Sequence, residues 1–191
     1  MEINCKRLKE IVNNTIHPGE ASGNGYRKAS VFLLIKDIFD PYILFILKAD
    51  NEGYPWRNQM ALPGGHIDPK DENALEAAFR ELTEELNIKR DQVYAIGSVG
   101  HFQTINKRDI EVFLGYLKNE DNIIYDPSEI ARIVRIPLAE LIKIHYENHF
   151  EQGFPGWDLL LYPYDDVVVW GATARIIHYV IDLIQPALIS R

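Results

Sequence analysis

Between Gly64 and Ile88 the chain reads GGHIDPKDENALEAAFRELTEELNI, and this stretch constrains the protein more than any other. On a helical wheel at about 100° per residue, Leu75, Ala78, Phe79, Leu82 and Leu86 form one apolar face that must pack on a sheet. Glu81, Glu84 and Glu85 stand on the other side, three and four positions apart, so their carboxylates converge. Ala77 and Ala74 share the Glu81 stripe one and two turns earlier and leave room for something to approach the helix backbone.

Three converging carboxylates are unfavourable by themselves. Like charges at these spacings cost about 0.2–0.5 kcal/mol per pair. They also lie in the last turns, where the helix dipole disfavours negative charge. Arg80 relieves part of this by pairing with Glu84 or Glu76, but one arginine does not balance the cluster. A divalent cation does, and oxygen-only ligands suit Mg²⁺ or Mn²⁺ better than zinc. A solvated acidic face is the plain alternative for the EXXEE pattern alone. Against it stands Pro63-Gly64-Gly65 at a strand end, which permits unusual backbone angles and brings carbonyls or amides to a ligand.

The surrounding chain predicts one domain over residues 1–191. Its 47% hydrophobic and 25% charged residues are the balance of a soluble globular protein. A single cysteine, Cys5, excludes an internal disulfide framework and fits a reducing, cytoplasmic setting. No apolar run reaches the roughly 20 residues a bilayer requires, so no membrane partner is expected. The net charge of −8 argues against a duplex nucleic-acid partner but not against a small phosphorylated substrate.

Helical spacing predicts an amphipathic helix over Glu2 to Asn14, and apolar runs predict neighbouring strands at Ala29–Ile35 and Tyr42–Leu47. Met60–Leu62, Val93–Val99 and Ile110–Leu117 read as further strands, and Asn73–Leu86, Pro137–His145 and Ala174–Ile184 as helices. This irregular alternation implies an α/β class fold, an α/β/α sandwich on a mixed sheet.

The acidic stretch resembles the Nudix box: a glycine, five residues, glutamate, seven residues, then Arg-Glu-apolar-x-Glu-Glu-x-Gly-apolar. The second half matches as Arg80, Glu81, Leu82, Glu84, Glu85 and Ile88, with Glu72 eight positions before Arg80. Six residues, not five, separate Gly65 from Glu72, which puts the role of Glu72 in doubt. Asn87 replaces the last glycine, a mild change at a helix end that wants a left-handed residue.

Further segments resemble the coenzyme A pyrophosphatase branch of that family. They are Gln59–Gly65, Pro127–Ala131, Ile136–Leu138 and Trp170–Arg175, and the extra loop residue is shared. The signature tied to coenzyme A itself is incomplete. Lys48-Ala49 stands at its start, Arg57 is displaced, Asn58 replaces a glycine and Leu62 a phenylalanine.

The resemblance implies a Nudix-like sandwich and a metal-dependent hydrolase cleaving the diphosphate linkage of a nucleotide derivative. Coenzyme A or an acyl derivative is the first expected substrate. ADP-ribose, another nucleoside diphosphate derivative or a nucleoside triphosphate is the alternative. A binding module without turnover would have no reason to keep three repelling carboxylates. Glu81 and Glu85 are the expected principal ligands, with Glu84 a further ligand or water-holding group and a Gly64 or Gly65 carbonyl another ligand. Glu81, Glu84 and Arg80 form the expected catalytic set, in which Arg80 orients the carboxylates.

Lys48, Arg57 and Gly64 are the expected substrate contacts. Glu111 and Glu129 are outside candidates for the general base. Tyr54, Trp56 and Arg57 are offered as a loop that stacks on a base or grips phosphate. Trp170 reads as core, and His66 and His101 each read as a polar surface residue, with a place near the pocket as the alternative. His145 and His149, four apart, lack a third ligand. The sequence leaves a homodimer open.

Overall fold

The computed structural model describes residues 3–52, 57–153, 155–156 and 159–188. Tyr54 and Trp56, expected to stack on a base, lie outside the described residues. Two long apolar strands, β1 (Arg27–Lys36) and β2 (Tyr42–Lys48), form the centre. They pair antiparallel only where Leu34–Lys36 faces Tyr42–Leu44, and then diverge. Two short strands fill the gap: β3 (Met60–Ala61) pairs with β2, and β4 (Gly64–His66) pairs with β1. The Phe32 N–H donates to the Pro63 carbonyl at 2.9 Å and the Lys48 N–H to the Gln59 carbonyl at 3.0 Å. Pro63-Gly64-Gly65 therefore sits inside a split in the sheet.

The opposite edge of β1 carries β6 (Arg108–Leu117) in parallel, and β5 (Val93–Gln103) pairs antiparallel with β6. The outer edge of β2 carries β7 (Ile130–Pro137), antiparallel. Side-chain alternation then sorts two cores. Phe32, Leu34, Leu44, Ile46 and Phe113 meet Ala78, Phe79, Leu82 and Leu86 of α2 (Ala74–Leu86). Leu33, Ile35, Ile43, Phe45, Val112 and Leu114 belong to the other core. Residues of α1 (Cys5–Asn14), α3 (Leu138–Glu147) and α4 (Gly171–Ile184) fill it from the opposite face. This is the expected Nudix-like α/β/α sandwich with a mixed sheet. Coverage of both faces explains why the central strands read as unbroken apolar runs.

Several local expectations change. Strand β7 was not expected, because its arginines interrupt the apolar run; Arg132 and Arg135 are exposed on it and reach Asp166 and Glu120. A hairpin of β8 (Tyr162–Tyr164) and β9 (Val167–Val169) also went unread. Trp170 is not core: it is the N-cap residue of α4 and 47% exposed. Ala77 is fully buried, and the Ala74 carbonyl accepts the Ser30 hydroxyl at 2.6 Å. What approaches the small stripe of α2 is thus the protein's own sheet. Among the described residues, no helix is long and apolar enough to cross a membrane.

Candidate active site

Helix α2 is fixed at both ends by asparagine. Asn73 caps it by accepting the Glu76 N–H at 3.0 Å, and Asn87 ends it in the left-handed conformation at φ 55°. The apolar face then seats the helix so that Glu81 stands directly over Gly65. A Cβ on Gly65 would lie 2.6 Å from the Glu81 carboxyl carbon and 2.7 Å from each of its oxygens. Gly64, at φ +141°, approaches β1 so closely that a Cβ there would lie 2.3 Å from the Ser30 carbonyl oxygen. Its N–H donates to Glu85 at 3.0 Å. The two glycines therefore serve different carboxylates, and each is required by proximity.

Arg80 gathers the cluster. Its Nε and Nη2 donate to the two oxygens of Asp71, both at 3.0 Å, and Nη2 also reaches the His66 carbonyl at 2.9 Å. Its Nη1 donates to Glu81 and Glu84, both at 2.8 Å. These partners hold the guanidinium charged and draw the Asp71 carboxyl below the usual carboxylate range. Glu72 is exposed, and Asp71, after five residues counted from Gly65, makes the forked contact instead. Sequence reasoning missed Asp71 because the family pattern names a glutamate. The five-residue spacing was the available signal.

The three glutamates differ. Burial raises the proton affinity of Glu81, against the opposing pull of Arg80, and the charges of Glu85 and Glu84 add to the rise. Glu85 has a side chain only 9% exposed and is paired with Lys48 at 2.7 Å, so Lys48 stands at the acidic helix. Glu84 faces solvent, with 56% of its side chain exposed. Arg57 is at the surface, 3.7 Å from Asp50. Arg175 donates to the Gln103 carbonyl at 2.9 Å.

A second group lies across the sheet on the same row. Register aligns Gly65 with Ser30, Ser30 with Glu111, and Glu111 with His101. The buried Asp109 accepts Gln103 Nε2 at 2.7 Å and contacts His101 Nδ1 at 3.2 Å, leaving His101 Nε2 3.9 Å from Glu111. Glu111 thus lies on the same row as Gly65 with Ser30 of β1 between them. Glu129 is exposed, and its carbonyl accepts the Ala49 N–H at 2.9 Å. His66 is also exposed and contacts Arg108 at 3.3 Å.

This donor set fits a hard divalent cation. The space beside Gly65 that a Cβ would fill holds the Glu81 carboxylate, Glu85 meets the Gly64 N–H, and Glu84 shares Arg80 Nη1 with Glu81. Glu81, Glu84 and Glu85 are the residues that can hold such an ion.

An acidic helix seated in the split of a mixed sheet, inside an α/β/α sandwich, is the architecture of a Nudix hydrolase domain. Comparison with known proteins agrees. Residues 27–154 match the NUDIX domain, and the chain belongs to that family. The Nudix hydrolase NudL of Photorhabdus laumondii, described as uncharacterized, is 30% identical over 129 residues, which is 66% of this chain and 69% of that protein. Its Yersinia enterocolitica counterpart, described the same way, is 29% identical over 164 residues, covering 84% of this chain and 82% of its own. The crystal structure of RenU, a Nudix hydrolase from M. smegmatis, shares the fold at a TM-score of 0.60 and 14% identity, over 90% of this chain and 94% of that one. The protein is accordingly a Nudix hydrolase.

Proposed function

We propose that this hydrolase uses Mg²⁺ or Mn²⁺ to cleave the diphosphate linkage of a nucleotide derivative, with a coenzyme A-type compound as its best substrate. The observation that carries the reaction type is the seating of Glu81 over Gly65 and Glu85 over Gly64, with Arg80 forked across Asp71, Glu81 and Glu84. When bound, the cation would offset the negative charge that makes phosphate oxygens repel a nucleophile, and would acidify a coordinated water.

The chain's own residues supply the rest. Arg80 fixes the direction of Glu81 and Glu84 before substrate arrives. Glu84, open to solvent, holds the attacking water. Glu111, held beside His101 on the same row of the sheet as Gly65, is the acceptor for its proton in this proposal.

The coenzyme A reading rests on the segments Gln59–Gly65 and Trp170–Arg175. One observation favours a second reading. Lys48 is engaged by Glu85 and Arg57 lies near Asp50, so the cations expected for a 3′-phosphate already have carboxylate neighbours. That favours a substrate without the extra phosphate, of the ADP-ribose type. Turnover of coenzyme A, ADP-ribose, NADH, dinucleoside polyphosphates and nucleoside triphosphates with Mg²⁺, with products read by mass spectrometry, separates the two. Release of 3′,5′-ADP and 4′-phosphopantetheine supports the first. Efficient cleavage of ADP-ribose with coenzyme A untouched replaces it with the second.

A further inference from the structure

Away from the acidic helix, α3 and α4 bring together three groups that the hydrolase chemistry does not use. His145 of α3 is fully buried, and its Nε2 lies 3.0 Å from Asp182 Oδ1 of α4. His178, one turn before Asp182 on the same helix, presents Nδ1 to Asp182 Oδ2 at 3.7 Å. The two imidazole centroids are 5.0 Å apart. One ligand atom from each of the three residues lies within 4.8 Å of the others. We infer that His145, His178 and Asp182 form a second metal site, specific for a borderline divalent transition ion of the Zn²⁺ class, that clamps α3 to α4.

The tautomers support this. A carbonyl oxygen only accepts, so the 3.0 Å contact of His178 Nε2 with the Phe150 carbonyl puts the His178 proton on Nε2. The Nδ1 lone pair then faces a carboxylate oxygen, so an ion placed between the two is ligated by both. His145 has the complementary support. Its Nδ1 lies 3.0 Å from the Tyr162 hydroxyl, which either donates or accepts. Ligation through Nε2 moves the His145 proton to Nδ1, from which it donates to the Tyr162 hydroxyl oxygen. Metal-bound histidines characteristically donate their second ring nitrogen to such a partner. Both histidines have one, a hydroxyl and a carbonyl.

Distances and ligand type select the ion. Tetrahedral bonds of about 2.0–2.1 Å place ligand atoms roughly 3.4 Å apart. One ligand atom from each residue already lies within 4.8 Å of the others, so modest side-chain movement brings the three to that spacing. Two imidazoles favour Zn²⁺ or Co²⁺ over Mg²⁺, whose preference is for oxygen. Asp182 keeps 46% of its side chain exposed, so the ion has an entry side and a water can complete four ligands. The sequence pair His145/His149 fails as a site because His149 is exposed and left-handed beyond the end of α3. The third ligand comes from α4, a distance of sequence that spacing cannot reveal.

The test uses tag-free full-length protein carrying Glu81→Gln and Glu85→Gln, which silences the acidic helix. Calorimetric titration with Zn²⁺ is expected to show one equivalent per chain, undisplaced by excess Mg²⁺. Co²⁺ is expected to give the visible absorption of a four-coordinate nitrogen and oxygen site. Adding Asp182→Asn or His178→Gln is expected to raise the Zn²⁺ dissociation constant at least about tenfold and abolish the Zn²⁺-induced rise in melting temperature. Asp182 is half-exposed, so its variant reports even if His178→Gln fails to fold. Unchanged Zn²⁺ affinity in Asp182→Asn, or no uptake by the parent, overturns the assignment.

Discussion

Gly65→Ala separates the site from the fold. Gly65 does not have a left-handed φ, so alanine meets no backbone penalty there. The added Cβ lies 2.6 Å from the Glu81 carboxyl carbon, short of the ~3.5 Å contact distance by about 1 Å. The obstructing atoms are the far end of a flexible side chain, so Glu81 swings away and the sheet stays. Overpacking at its lower end costs about 1 kcal/mol. Removing a glycine from the unfolded chain returns about 0.4–1 kcal/mol. Stability therefore changes little.

Turnover does not survive as well, because a displacement near 1 Å of a catalytic group lowers the rate by about 100-fold. Steady-state kcat at saturating Mg²⁺, read beside a thermal melt, checks both halves. Gly64→Ala is the contrasting control. Its Cβ would meet the Ser30 carbonyl oxygen at 2.3 Å and the Val31 Cα at 2.6 Å, so the melt itself should collapse. A folded Gly65→Ala protein with turnover within about threefold of wild type would refute the placement of Glu81 at the reaction.

Glu81→Gln and Glu85→Gln should each lower kcat by at least about 100-fold while the melt holds or rises slightly, since each change also relieves like-charge repulsion; near-normal turnover in both removes them from the site. Arg80→Ala should destabilise by about 2–4 kcal/mol in chemical denaturation, because four partners lose one guanidinium, and Arg80→Lys should recover little of it without the fork. Equal denaturation midpoints for Arg80→Ala and wild type would reduce the arginine to a surface residue. Lys48→Met leaves the buried Glu85 carboxylate without its ammonium partner, so the loss of melting temperature should be larger in EDTA than in Mg²⁺; equal losses in both would place the ion elsewhere.

The pH dependence follows from Glu81, whose folded pKa is raised above that of an ordinary glutamate by burial. The folded state binds more protons there, so this group's contribution is fully present below the unfolded pKa and is lost as pH rises through the raised folded value. In EDTA, Glu81→Gln should therefore gain melting temperature over wild type as pH rises through that window. A difference independent of pH would contradict the burial of this carboxylate.

The sequence by itself determined the central strands, the main helices and the chemistry of one of them. The apolar stripe of α2 and its asparagine ends are local properties, set by a period of 3.6 and by which residues tolerate φ 55°. The convergence of Glu81, Glu84 and Glu85 follows from the same period. The long buried strands β1, β2, β5 and β6 were legible because both of their faces are covered.

Only the tertiary structure decided what the helix carboxylates meet. The divergence of β1 from β2 admits Pro63-Gly64-Gly65 into the sheet, and that topology sets Glu81 against Gly65 and Glu85 against Gly64 and Lys48. It also selected Asp71 over Glu72 for Arg80, because a fork needs two oxygens at a fixed distance and direction and not merely an acid nearby. It aligned Glu111 and His101 with the glycine strand through ladder register, and brought His178 and Asp182 to His145 across two helices. Local periodicity fixes which way a side chain points on its own element. The partner it meets depends on how elements distant in sequence close on one another, and that is a property of the packed core.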